Sequence, residues 1–119
     1  MSYRKGRPSS IDLLEDEFAQ EKASALGRLG RALEAALAAL AAFDAGESQE
    51  APAAGRRELR AALVAEASVA LWHFVVQREA CGLHDLRYVL RDYRVPAEVA
   101  ARMGALSIEP SRPRRPRHR

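Results

Sequence analysis

The feature that most constrains this chain is a helical pattern of apolar residues that runs without interruption from Ile11 to Phe43. The stretch contains no proline, and its apolar residues recur three or four positions apart, which is the spacing of one helix face. We therefore predict a single helix over residues 12–44. Such a helix is about 50 Å long, whereas a compact domain of 100 residues is roughly 35 Å across. The helix must either extend beyond the domain to a partner or bend.

The second half of this helix carries a heptad seam, because its apolar residues follow one another in steps of three and four. Gly27 and Gly30 lie within this half. They either allow a bend, allow another helix to approach closely, or are simply tolerated. We predict that the seam contacts a second copy of the chain or a partner helix. Its residues are Leu26, Leu29, Leu33, Ala36, Leu40 and Phe43.

Three further helices are predicted after a linker at residues 45–55, which contains two glycines and a proline and has no apolar periodicity. A long helix at 56–81 is apolar on nearly every side in its second half, as a central helix must be. Two short helices follow at 85–93 and 96–103. The predicted fold class is all-α, with a long antiparallel helical hairpin followed by two short C-terminal helices. We expect it to form a helical-bundle dimer.

The helix ends have their own signals. Ser9, Ser10 and Asp12 are candidate N-caps, and Asp12 and Glu15 have the spacing of a capping pair. Gly82 stands at the left-handed position that follows a helix, and Gly104 is expected to end the last helix. Pro96 suits the first position of that helix.

Composition excludes several classes of protein. Alanine occurs 24 times, threonine is absent and isoleucine occurs twice, so an all-β fold is not expected. The single cysteine, Cys81, cannot form an internal disulfide, which favours a reducing compartment. No membrane-spanning stretch and no secretion signal are recognised, so we predict a cytoplasmic protein without membrane contact.

The net charge of +3 is unevenly distributed. Residues 8–110 carry sixteen acidic and eleven basic side chains, so the predicted domain (residues 11–105) is acidic and the excess of positive charge lies at the two ends. We expect residues 1–10 and the Arg- and Pro-rich residues 106–119 to be disordered. Such a tail attracts phosphates in a salt-sensitive way. The candidate nucleic-acid contacts are Arg112, Arg114, Arg115, Arg117 and Arg119.

No catalytic, cofactor-binding or metal-binding residue can be assigned. His73, Glu79, Cys81 and His84 are of metal-ligating types, but His73 and Cys81 would be about 12 Å apart along a helix. Cys81, His84 and Asp85 contain the types of a nucleophilic site, yet neighbours on one turn rarely converge on a substrate. We therefore expect a protein that is not an enzyme and has no cofactor or small-molecule ligand.

Two features of the second half of the chain remain open. Glu66, His73 and Gln77 lie in line on the second helix, where they predict a half-buried polar stripe hydrogen-bonded to the first helix or to a symmetry mate. In residues 78–104 a predicted helix end at Gly82 is followed by a short helix, a tight turn and a second short helix, an order that resembles the helix–turn–helix of DNA-binding proteins. However, Arg102 is the only long basic residue of the last helix. Nucleic-acid association is therefore the alternative function.

Three stretches, EDEFAQEKASALGRLG, WHFVVQREACGLHD and RDYRVPAEVAARMG, together resemble a family of short bacterial proteins known only as a domain of unknown function. The likeness covers about residues 11–105, without the linker and the tail. The resemblance implies a bacterial, cytoplasmic, helical protein and supplies no activity or ligand. The function predicted from the sequence is thus a non-enzymatic helical interaction or scaffold module that forms a homodimer or binds a partner helix.

Overall fold

The computed structural model describes residues 9–47 and 52–108, and within these residues every regular element is helical. The helices are α1 (Ser10–Ala42), α2 (Ala53–Ala80), α3 (Leu86–Asp92) and α4 (Ala97–Ile108), and a turn, Phe43–Glu47, in which Gly46 has φ 96°, follows α1. The all-α fold with two long and two short helices is confirmed. The predicted contacts at Arg112 to Arg119 lie outside the described residues.

The start of α1 is fixed by a capping box at Ser9, one of the candidate N-caps, and the helix begins two residues earlier than predicted. Ser9 is the N-cap, and its hydroxyl accepts a hydrogen bond from the Asp12 backbone N–H at 3.1 Å. The Asp12 carboxylate accepts a bond in return from the Ser9 N–H at 3.4 Å. Asp12 is therefore the acid of the box, and the predicted pairing of Asp12 with Glu15 is wrong. Residues 9 and 10 belong to the folded domain.

α1 and α2 form an antiparallel hairpin, with α3 and α4 packed on one of its faces. The core of this arrangement consists of large apolar side chains that the single chain buries almost completely: Leu33, Leu40, Val64, Leu71, Phe74, Val89, Val99 and Met103. Ala67 and Ser68 complete it where α2 meets α4. The Ser68 hydroxyl lies 2.7 Å from the Val64 carbonyl oxygen and 3.2 Å from that of Val99, and its single proton can be donated to either.

At the surface, Arg60 links the C-terminal end of α1 to the N-terminal end of α4. Its guanidinium donates to Asp44, just after α1, at 2.8 Å and to Glu98, in the first turn of α4, at 2.6 Å. These hydrogen bonds lower the pKa of both carboxyl groups. Because the three side chains remain in contact with water, the network positions the ends more than it stabilises the core.

α1 remains one continuous helix through both of its glycines. A Cβ built on Gly30 would lie 3.2 Å from Phe74 Cε1 and 3.2 Å from Tyr93 Oη. Gly30 therefore allows α2 and α3 to approach α1 closely. Gly27 has only the Arg31 side chain near it.

The ends of α2 and α3 use the same motif. Gly82 has φ +86°, and the Leu83 N–H donates to the Arg78 carbonyl at 2.8 Å, which confirms the predicted left-handed end of α2. Arg94 adopts φ 53° at the corresponding position after α3. The prediction that Gly104 ends the last helix is wrong. α4 continues to Ile108, because a glycine ends a helix only where its φ becomes positive.

Candidate protein–protein interface

The predicted partner seam packs mainly against α2 of the same chain. Leu33 and Leu40 are 0% and 2% exposed, so these two cannot contact a second chain. Leu26, Leu29 and Ala36 are half-buried against the same core. The predicted seam is therefore corrected at these positions. Its spacing is that of helix packing, but the helix that it packs against is α2 of the same chain. Phe43 is half-buried at the end of α1.

The face of the hairpin opposite α3 and α4 has no helix on it among the described residues, and we call it the open face. It contains a groove of about 710 Å³ between α1 and α2. Most of the lining side chains are small and apolar. They are Leu29, Ala32, Ala35, Ala36 and Ala39 from α1, and Ala65, Glu66, Val69, Ala70 and His73 from α2. Leu29 and Ala36 thus contribute both to the core and to the groove.

The N-terminal end of α1 extends beyond the end of α2. The last turn of α2 lies beside the middle of α1, since Gln77 Nε2 donates to the Lys22 carbonyl at 3.3 Å. A second groove, of about 570 Å³, lies between Ala80 and Cys81 of α2 and the neighbouring part of α1 around Phe18. Residues 10–18, which we call the overhang, have almost no α2 residue opposite them. Two alternatives were predicted for the long helix, extension beyond the domain or a bend. The structure shows extension, and it occurs at the N-terminal end of the helix.

The overhang carries large apolar side chains that residues 9–47 and 52–108 do not cover. Ile11 is 65% exposed and Phe18 is 61% exposed, and Leu13 and Leu14 are about half exposed. Isolated apolar residues on a surface need no explanation, but four within nine residues of one helix mark an interaction surface. Ile11, Leu14 and Phe18 follow one another at helical spacing.

Charge divides α1 into two unlike halves. The overhang holds four acidic residues and no basic one: Asp12, Glu15, Asp16 and Glu17. Residues 27–42 hold Arg28, Arg31 and a single acid, Glu34. The acidic half also carries the large exposed apolar residues, whereas the more basic half carries the alanines of the groove.

The predicted polar stripe on α2 is divided by the structure. Gln77 is half-buried and bonded to α1, as expected. Glu66 and His73 are exposed and line the groove on its α2 side. Ser68, the buried hydroxyl next to this stripe, was not found from the sequence, because its partner Val99 lies 31 positions away.

The residues considered for a metal site or a nucleophilic site are not grouped around a common point. Cys81 is half-buried at the end of α2, and His84 and Asp85 are exposed in the following turn. In the described part of the chain, no three His, Cys, Asp or Glu side chains are grouped in a way that could hold a metal ion. Arg102 is exposed on α4. Glu98, in the first turn of α4, is engaged by Arg60.

By length and composition alone, α2 is apolar enough to cross a membrane, with a mean hydropathy of 1.5 in its most apolar window. One such helix is weak evidence, because the core helix of a soluble protein has the same composition. Five α2 residues from Val64 to Phe74 are buried against α1, α3 and α4.

Comparison with known proteins gives a family and no activity. Neither the curated proteins nor the solved structures contain a match. A family profile, described as a family of unknown function (DUF6665), matches residues 5–111. The match is wider than the resemblance expected from the sequence, since it includes the linker and the beginning of the tail. The chain belongs to this family of unknown function, DUF6665.

Proposed function

We propose that this protein is a non-enzymatic helical interaction module that forms a homodimer through the open face of its α1–α2 hairpin. One observation supports this most strongly. The described residues leave Phe18 and its apolar neighbours exposed at one end of this face and form an apolar groove at the other. Removing such surfaces from water gains about 25 cal/mol per Å² of apolar area.

The open face is large enough for a stable dimer. α1 has 33 residues and is about 50 Å long, and two adjacent helices are about 20 Å wide. Because the overhang is only one helix wide, the face offers roughly 850 Å², whereas a standard interface needs about 800 Å² from each partner. The small side chains in the groove allow the backbone of another helix to approach closely.

Nucleic-acid association is the second candidate, and the observation that favours it is the density of arginine at the C-terminus. Five of the last eight residues are arginine. Such a segment binds phosphates without sequence preference and releases them as the salt concentration rises. The exposed surface of α4 adds little to this candidate, because Arg102 is the only long basic side chain on that helix.

The homodimer is tested by measuring the molar mass of the full-length chain in solution by light scattering at micromolar concentration. We expect a mass near twice 13.1 kDa. Val69→Glu places a charge in the groove and should shift the mass towards that of the monomer. Leu83→Glu is the matched control, since Leu83 is as exposed as Val69 (43% against 40%) but lies beyond the end of α2. A monomeric wild type, or equal effects of the two substitutions, would contradict the proposal.

The alternative is tested by a salt titration of binding to duplex DNA and to single-stranded RNA. Full-length protein is compared with a chain that ends at Pro110. If the tail binds nucleic acid, the full-length protein binds with a steep salt dependence that the shortened chain loses. If neither chain binds near physiological salt, the alternative is excluded.

A further inference from the structure

We infer that the overhang of one chain occupies the groove of a second chain, so that two α1 helices pair antiparallel about a two-fold axis. This inference rests on the proposed homodimer and specifies what fills the groove. Each chain then supplies one overhang and one groove, and the two contacts are equivalent by symmetry. Two properties of α1 agree with this pairing, the spacing of its side chains and their sizes, and its charges oppose the parallel alternative.

The spacing of the large side chains matches that of the small ones when one helix is reversed. The large residues are Ile11, Leu14 and Phe18, and the groove alanines in reverse order are Ala39, Ala36 and Ala32. Both sets have a step of three followed by a step of four. When Phe18 lies over Ala32 of the second chain, the other two pairs therefore come into place as well.

The sizes of these residues are complementary. Each of the three large side chains meets an alanine, so an exposed knob faces a space that the groove leaves empty, as in the packing of coiled coils. Near the two-fold axis, Ala25 of one chain faces Ala25 of the other. This residue is half-buried and small, so the two helices can cross closely there.

The charges select the antiparallel direction. A parallel pairing would place the two acidic overhangs against each other, and like charges in contact oppose association. The antiparallel pairing keeps the two overhangs apart: residues 10–18 lie beside residues 32–40 of the second chain, where Glu34 is the one charged residue, and Arg31 lies one position further on, opposite Ala19. Glu66 is the one acid among the residues that line the groove, and it lies on the α2 side.

The test exchanges the knob and the hole. Phe18→Ala and Ala32→Phe are made singly and together in the full-length chain, and the dimer dissociation constant is measured by sedimentation equilibrium. Phe18→Ala should raise this constant at least about a hundredfold, because a central aromatic anchor is lost twice in a symmetric dimer. Ala32→Phe should also raise it, since two phenylalanines then compete for one space. The double variant should recover to within about tenfold of the wild type, because an alanine and a phenylalanine again face each other at both contacts, with their positions exchanged.

Leu13→Ala is the matched control. Leu13 is 52% exposed on the same overhang, but it points about 140° around the helix from Phe18. Its substitution should leave the dissociation constant unchanged. Phe18 and Ala32 are both exposed in the single chain, so neither substitution removes a core contact.

Two results overturn the inference in different ways. If the wild type is a dimer whose dissociation constant is insensitive to Phe18→Ala, or if the double variant is no tighter than the single ones, the overhang is not the occupant. The proposed homodimer stands in that case. If the wild type is monomeric at every concentration, the proposed function fails, and the inference fails with it.

Discussion

Gly30→Ala is the substitution that most sharply tests the packing of α1. The new methyl group would lie 3.2 Å from Phe74 Cε1 and 3.2 Å from Tyr93 Oη. Neither neighbour is a flexible surface group. Phe74 is 5% exposed, and its ring meets that of Tyr93 edge to face, with the ring centroids 5.2 Å apart. One or both rings must therefore shift to admit the methyl group.

The magnitude follows from two opposing contributions. Replacing glycine by alanine inside a helix stabilises it by about 1 kcal/mol. Overpacking a well-filled contact costs roughly 1–3 kcal/mol. The free energy of unfolding of Gly30→Ala should therefore be unchanged or reduced by up to about 2 kcal/mol.

Gly27→Ala is the matched control, since it changes the same helix one turn earlier. Its methyl group would meet only the guanidinium of Arg31, with Nη1 at 3.4 Å, and that exposed side chain can move away. This variant should gain the full helix contribution of about 1 kcal/mol. The two variants are compared by urea unfolding at one protein concentration, because dimerisation makes stability depend on concentration. If Gly30→Ala stabilises the protein as much as Gly27→Ala does, the close approach at Gly30 does not constrain the fold.

Three further substitutions test other parts of the fold by the same unfolding measurement. Arg94→Gly should raise the free energy of unfolding by about 1 kcal/mol, because Arg94 has φ 53°, a conformation that glycine adopts without strain. A loss of stability would show that the Arg94 side chain contributes more than its backbone costs. Ser68→Ala should lower the free energy of unfolding by about 1 kcal/mol, since a buried hydrogen bond is lost. No change would mean that this hydrogen bond contributes nothing to stability. Arg60→Gln should weaken the dependence of the free energy of unfolding on pH under acidic conditions. Because Arg60 lowers the pKa of Asp44 and Glu98 in the folded protein, their contribution is present above their ordinary pKa of about 4 and is lost as the pH falls through the lowered values. The wild type should therefore lose more stability than the variant between about pH 6 and pH 3, and equal losses would contradict this.

The helices could be predicted from the sequence because each depends on local signals. The periodicity of α1 and α2 and the glycine after α2 require no knowledge of the rest of the chain. α1 begins two residues earlier than predicted, because Ser9 and Asp12 offer two overlapping capping patterns. The end of α4 was misplaced because Gly104 weakens a helix without ending it.

The interface could be predicted only in part. The sequence showed that α1 is too long for a compact domain, which made an overhang one of two alternatives. It could not show which side of α1 faces α2, since a heptad seam has the same spacing for a partner in the same chain and for one in another. The leucines of the predicted seam dominate the apolar pattern in that half of α1, and in the structure they lie in the core or pack against it. The alanines beside these leucines, such as Ala32 and Ala39, contribute little to an apolar pattern, and their importance appears only when the groove between the helices is seen.

The self-association of the open face can be tested most directly by hydroxyl-radical footprinting of the full-length wild type across a range of protein concentrations. The label reports the solvent exposure of individual side chains. As the concentration rises, Phe18 and Val69 should become protected, while Leu83, exposed just before α3, and Tyr88, exposed on α3, should be labelled to the same extent throughout. Labelling of Phe18 and Val69 that does not change with concentration, or protection of Leu83 and Tyr88 in their place, would contradict the account.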